Sequence, residues 1–119
     1  MSRAVPAMPA EARTIDAPGL AERERVLRIL REHEAEIRAK GVTRLRMFGS
    51  MARGEARPGS DVDLLADIDR RVKFSLIDLV GLQYFLDDLL ARETQVGTSL
   101  ENARPRIRKR IEMDALEVF

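Results

Sequence analysis

The chain has no cysteine and no tryptophan, and its 119 residues include one histidine, one tyrosine and four phenylalanines. Without cysteine, disulfides and thiolate metal sites are excluded. One histidine cannot build a histidine-rich metal centre, so any metal must be held by oxygen. Aromatic residues are 4% of the chain, too few for a platform on which the bases of single-stranded nucleic acid stack. No apolar run approaches the roughly 20 residues needed to cross a bilayer. The start, MSRAVPAMPAEARTIDAPG, carries charge but no continuous apolar signal-peptide core. A cytoplasmic protein is the expectation. An excess of one charge is missing too: 21 basic residues face 20 acidic ones, for a net charge of +1, although 34% of residues are charged. Bulk attraction to nucleic acid or a membrane surface therefore fails as an argument, and charge must be read locally.

What is present suits one domain, since 119 residues with 45% hydrophobic content can bury one core. Residues 1–19 hold three of the five prolines and read as a flexible leader, which leaves 20–119 as the domain. From Leu20 to Lys40, Val26, Leu27, Leu30 and Ile37 recur at helical spacing, and Gly41 stands where a left-handed stop belongs. His33 lies on that stripe as a packed or boundary residue. VTRLRMF (Val42 to Phe48) alternates like a half-buried strand, and Asp61 to Asp69 alternates again after the ARPGS loop. Ser75 to Arg92 reads as a helix with more apolar surface than one core face requires: Leu79, Leu82, Leu86 and Leu89 form one stripe, and Leu76, Val80 and Tyr84 another. The second stripe is either buried in the monomer or left for a partner. A short strand at Glu93 to Thr98, a helix from Pro105 to Met113 and an edge strand at Ala115 to Phe119 complete an α/β or α+β fold with a small sheet.

The segment FGSMARGEARPGSDVDLL concentrates the chemistry. Asp61 and Asp63, at alternate positions of a strand, share a face about 6–7 Å apart at their Cα atoms and can hold Mg²⁺ together. Mg²⁺ prefers oxygen and keeps several waters, so such a pair works best when a phosphorylated substrate supplies further ligands. Just upstream, Gly49-Ser50 between a strand and a short helix offers backbone N–H groups and a hydroxyl to an anion, and glycine lets a phosphate approach the backbone. Arg53 and Arg57 can add charge-assisted contacts.

The ordered set of apolar strand, Gly49-Ser50, Arg53 and SDVDL resembles the signature of the DNA polymerase β nucleotidyltransferase superfamily. It is most similar to the minimal nucleotidyltransferase (MNT) family, small proteins often paired with HEPN-domain toxins, over roughly Leu20 to Phe119. The resemblance implies a nucleotidyltransferase-like fold, a small mixed sheet with helices packed on it. It also implies that Gly49 and Ser50 hold the triphosphate of ATP, that Ser60 and Arg53 support the phosphates, and that Asp61 and Asp63 bind Mg²⁺ in a two-metal site. The implied activity is transfer of AMP to a hydroxyl, including a tyrosine of a partner HEPN toxin, which neutralises it.

One position departs from the family pattern. A third acid is expected on a later strand in a context like V-D-V-G-T, and here the stretch Thr94-Gln95-Val96-Gly97-Thr98 puts Gln95 there. Glutamine brings no negative charge and accepts no proton, so the second metal should be weak. The alternative reading follows: a catalytically weakened binding module that neutralises the toxin by complex formation. Glu93 stands two residues away and replaces the acid only by a register change. Asp67 and Asp69 extend the face of Asp61 and Asp63 but recede from Gly49-Ser50, and read as solvated. The basic cluster Arg104, Arg106, Arg108, Lys109 and Arg110 reads as a solvated helix face, with Ile107 and Ile111 marking the buried side and no stacking platform for nucleic acid beside it.

Overall fold

Alternating apolar residues on two central strands organise the molecule. The computed structural model describes residues 17–98 and 105–119. Its elements are α1 (Ala17–Glu32), α2 (Glu34–Ala39), β1 (Val42–Phe48), α3 (Gly49–Ala52), β2 (Val62–Ile68), α4 (Leu76–Leu90), β3 (Thr94–Gly97), α5 (Pro105–Asp114) and β4 (Leu116–Glu117). The sheet order is β3-β2-β1-β4, with β2 parallel to β3, and β1 antiparallel to both β2 and β4. This is the small mixed sheet that the resemblance implies.

Val62, Leu64 and Ala66 of β2 are fully buried and, by strand alternation, share one face. Val26, Leu27 and Leu30 of α1 join them in a single core with Leu82, Leu86 and Leu90 of α4. Each such side chain contributes roughly 1.5–3 kcal/mol of burial. Asp63 and Asp67 consequently belong to the opposite face of the sheet.

Several expected boundaries shift for local reasons. The helix expected over Leu20 to Lys40 starts at Ala17 and breaks at His33 into α1 and α2. His33 has φ −108° and ψ 21°, and its Nδ1 lies 2.8 Å from the Ile29 carbonyl. His33 keeps the helical bonds from its N–H to the Ile29 carbonyl at 3.2 Å and from the Ile37 N–H to its own carbonyl at 3.0 Å, and it is the departure of its backbone from helical angles that divides the helix. The expected leader lies, up to residue 16, outside the described residues. Gly41 has φ +106°, the left-handed stop its position predicts. β2 begins at Val62 and β3 at Thr94, so Asp61 and Glu93 precede their strands rather than opening them.

Helix α4 starts with a reciprocal capping box between Ser75 and Asp78. Its buried side is Leu82, Leu86 and Leu90, while Leu76, Val80 and Tyr84 stay on the surface. Of the two fates open to the second stripe, exposure is the one observed. On α5, Ile111 is buried and Arg106 and Lys109 are exposed, as a solvated basic face requires; Arg104 and the side chains of Ile107 and Arg110 lie outside the described residues. No helix among the described residues is long and apolar enough to cross a membrane.

Candidate nucleotide-binding site

The antiparallel register sets Phe48, the last residue of β1, opposite Asp63 of β2. The turn that follows Phe48 therefore closes on the Asp63 carboxylate. Gly49 has φ +77°, and a Cβ on it would lie 2.5 Å from Oδ2 of Asp63. Glycine is thus required twice, for a left-handed backbone and for the approach of a carboxylate. Phosphate access, the reason read from the sequence, is joined by a nearer one.

Helix α3 is a single turn, preceded by an extended Phe48 and capped by no side chain. Its first N–H groups have no intrahelical acceptor, which leaves them as donors at the cleft. A cavity of about 360 Å³ lies at this end of the sheet, walled by Phe48, Gly49, Ser50, Arg53 and Asp63 on one side and by Ile111 and Asp114 of α5 on the other. Its size falls in the range of small-molecule sites.

The half-buried Asp63 carboxyl is raised above its ordinary value of 3.8, first by burial and then by the negative charge of Asp61, with the positive charge of Arg53 opposing. Among the described residues no hydrogen-bond donor reaches that carboxylate. A cation placed beside it would relieve both penalties. Asp61 and Asp63 supply two hard oxygen donors, which suit a Mg²⁺ that completes its octahedron with phosphate and water. The described residues assemble no group of three or more His, Cys, Asp or Glu side chains for a metal, so an ion at this pair would take its remaining ligands from a bound molecule or water.

Of the other expected site residues, Ser50 and Arg53 line the cavity, whereas Asp61, Ser60 and Gln95 lie outside its walls. Asp61 acts on Asp63 electrostatically from the residue before β2. Gln95 is the parallel-register partner of Asp63, one strand further out. Ser60 spends its hydroxyl on the loop, accepting from the Arg57 N–H at 2.9 Å, and borders a second cleft with Glu22, Arg25 and Arg92. Arg53 is held by two acids: Nε donates to Glu55 at 2.9 Å and Nη1 to Asp114 at 2.7 Å. Asp67 and Asp69, expected to be simply solvated, pair with Arg46 at 3.3 Å and Arg71 at 3.0 Å.

Two groups of residues around the cleft escaped sequence reasoning. Asp114 and Ile111 reach the cavity from a helix more than 45 residues further along the chain than Asp63. Glu22 accepts from Arg25 and Arg92, while Arg92 also donates to the Ser60 carbonyl at 2.7 Å and Arg25 to the Leu90 carbonyl at 2.8 Å. This network fastens the loop that delivers Asp61. No local spacing links residues 22, 25, 60 and 92, so only an alignment of related chains carries such a signal.

A glycine turn and a partly desolvated carboxylate are set against each other at the end of a mixed sheet, an arrangement suited to binding a phosphorylated ligand through a cation. Comparison with known proteins gives the class. Residues 24–118 match the model of the family described as "Nucleotidyltransferase domain". The chain belongs to that family, and within it to the minimal nucleotidyltransferases. It is 36% identical over 91 residues, 76% of this chain and 91% of the relative, to MJ0126 of Methanocaldococcus jannaschii, whose name assigns it provisionally to the protein adenylyltransferases. It is 40% identical over 68 residues, 56% of this chain and 67% of the relative, to protein adenylyltransferase MntA of Thermococcus cleftensis. A solved structure described provisionally as a minimal nucleotidyltransferase aligns with a TM-score of 0.57 at 33% identity, covering 81% of this chain and 88% of that one. The fold is shared, at 12% identity and a TM-score of 0.55, with a chain in the structure of a tri-AMPylated Shewanella oneidensis HEPN toxin in complex with MNT antitoxin, over 78% of this chain and 71% of that one.

Proposed function

We propose that this protein is the antitoxin of a toxin–antitoxin pair and transfers AMP from ATP to a tyrosine hydroxyl of a HEPN toxin partner, neutralising it. The observation that carries the reading is the placement of the Asp63 carboxylate against Gly49, where a Cβ would come within 2.5 Å of it. The names of the adenylyltransferase relatives support the reaction, and that of the HEPN–MNT complex supports the partner.

In this reaction the N–H groups at Gly49 and Ser50 and the hydroxyl of Ser50 hold the polyphosphate, and Arg53 offers the donors it has not given to Glu55 and Asp114. Asp61 and Asp63 would hold Mg²⁺, which would supply charge neutralisation to the reacting phosphate. The tyrosine oxygen forms a bond to the α-phosphorus, the bond from that phosphorus to pyrophosphate breaks, and the hydroxyl proton passes to water because Gln95 cannot accept it. Phe48 and Ile111 give one side of the cleft an apolar wall.

The test is calorimetry with AMP-PNP and Mg²⁺, together with transfer of labelled AMP to candidate HEPN toxins. Asp61→Asn with Asp63→Asn should abolish both metal-dependent binding and transfer. Because burial of the Asp63 charge opposes folding, the variant should melt no lower than the parent. Unchanged affinity in a folded variant would overturn the site. Binding without transfer by the parent would instead favour the weakened module, for which the register of Gln95 beside Asp63 is the motivating observation.

A further inference from the structure

The outer face of α4 is apolar and uncovered. Leu76, Ile77, Val80 and Tyr84 are 74%, 82%, 45% and 66% exposed. At 100° per residue, Ile77, Val80, Gly81, Tyr84 and Asp88 form one continuous stripe directly opposite the buried Leu82, Leu86 and Leu90. Gly81 makes a notch in it, since an added Cβ would meet nothing within 4 Å. Beside the notch a shallow groove of about 370 Å³ runs between Ile77 and Gly81 on α4 and Ala39 and Lys40 at the end of α2. Four large apolar side chains left in water along one helix are more than scattered surface residues and mark a place of association.

We infer that this face pairs with its counterpart on a second copy of the chain, the two α4 helices packing antiparallel about a two-fold axis between Val80 and Gly81. Charge and position select that occupant. In an antiparallel pair crossing at this point, helical residues whose numbers sum to 161 face each other, so Val80 meets Gly81 and Ile77 meets Tyr84, and Lys73, which precedes the helix, comes to the end that carries Asp88 of the other copy. Lys73, just before the helix, and Asp88, near its end, are both exposed, and neither has an ion-pair partner among the described residues. The apolar stripe is thus bounded at its two ends by opposite charges that complement each other only when one copy is reversed. A two-fold axis makes both Lys73–Asp88 pairs at once. The ring of Tyr84 enters the groove beside Ile77 of the other copy, and the notch at Gly81 lets the helices approach.

The geometry also separates this surface from the cleft. Helix α4 covers the sheet face that carries Val62, Leu64 and Ala66, and the cleft is built around Asp63 on the other. Both clefts of such a dimer stay open, and a toxin whose tyrosine reaches one of them approaches from the side away from α4. The pairing goes beyond the reaction proposed above and stands whether or not AMP is transferred.

Sedimentation of the whole chain over a concentration series tests it. The parent should associate reversibly to a dimer. Tyr84→Asp and Ile77→Asp should sediment as monomers, while AMP-PNP binding and the circular dichroism melt confirm that each is folded. Lys73→Glu and Asp88→Lys should each weaken the dimer about tenfold or more, and the double reversal should restore it. A parent that stays monomeric at every concentration, or a dimer indifferent to both single reversals, would overturn the pairing. So would a face that is shielded only when the toxin is added, which would assign it to that partner.

Discussion

Arg53 and Asp114 stand 61 residues apart in the chain, and their side chains meet at 2.7 Å in the wall of the cleft. The ion pair ties the end of α5 to the turn after β1, and it places a negative charge in the cleft proposed to take a polyphosphate. Asp114→Asn should therefore tighten binding of AMP-PNP several-fold by freeing a donor on Arg53 and removing a repulsion. Both partners are part-exposed, so stability should change by less than about 1 kcal/mol. Calorimetry against the parent is the check, and weaker binding would show that Asp114 orients Arg53 rather than competing for it.

Gly49→Ala should fail at the site before it fails in folding. A left-handed backbone costs an alanine roughly 1–2 kcal/mol, and the new methyl can be accommodated only by turning the Asp63 carboxylate away from the turn. The expected result is a chemical denaturation midpoint lowered modestly and metal-dependent nucleotide binding lost. Retained binding would mean that this carboxylate is not needed in its present position.

Gln95→Asp tests the missing acid. Because Gln95 is the register partner of Asp63, a carboxylate there lies next to the existing one and can share its ion. Transfer of AMP to the toxin should rise about tenfold with a steeper dependence on Mg²⁺, while the protein without metal loses some stability to the added like charge. An unchanged rate would show that chemistry is not limited at this position.

Acid stability should depend on Glu22. Hydrogen bonding to Arg25, then to Arg92, lowers its carboxyl to about 2 against the opposing effect of burial. A lowered value in the folded state means that the unfolded chain binds the proton more readily, so the stabilisation is present above an ordinary glutamate value of 4.5 and fades as the pH falls toward 2. Glu22→Gln should cost on the order of 2 kcal/mol at neutral pH and almost nothing near pH 2. Denaturation curves at both values decide it, and a penalty independent of pH would point to lost packing instead.

The elements most legible in the sequence are those whose signal is local. Alternation placed β1 and β2 to within a residue, the apolar stripes of Ser75 to Arg92 placed α4, and Gly41 marked the end of the first helical region. The apolar excess of α4 was legible as well, although its exposure was not, because the same stripe is compatible with a wider core. His33 divides a helix that hydrophobic periodicity carried straight through, since periodicity records side-chain faces and not a single residue's backbone angles. Asp61 was read as a strand residue and stands just before the strand, held by a loop that Arg92 fastens from a distance.

The chain of residues from Gly49 to Asp63 determined by itself that two acids and a flexible turn would be available, because spacing and residue type fix what chemistry a short segment can offer. Only the tertiary structure decided that Asp63 faces Gly49, that Gln95 stands beside it, and that α5 brings Asp114 to Arg53. Those contacts depend on strand register and helix docking, which are settled by burial of the whole core and are invisible to any window of neighbouring residues.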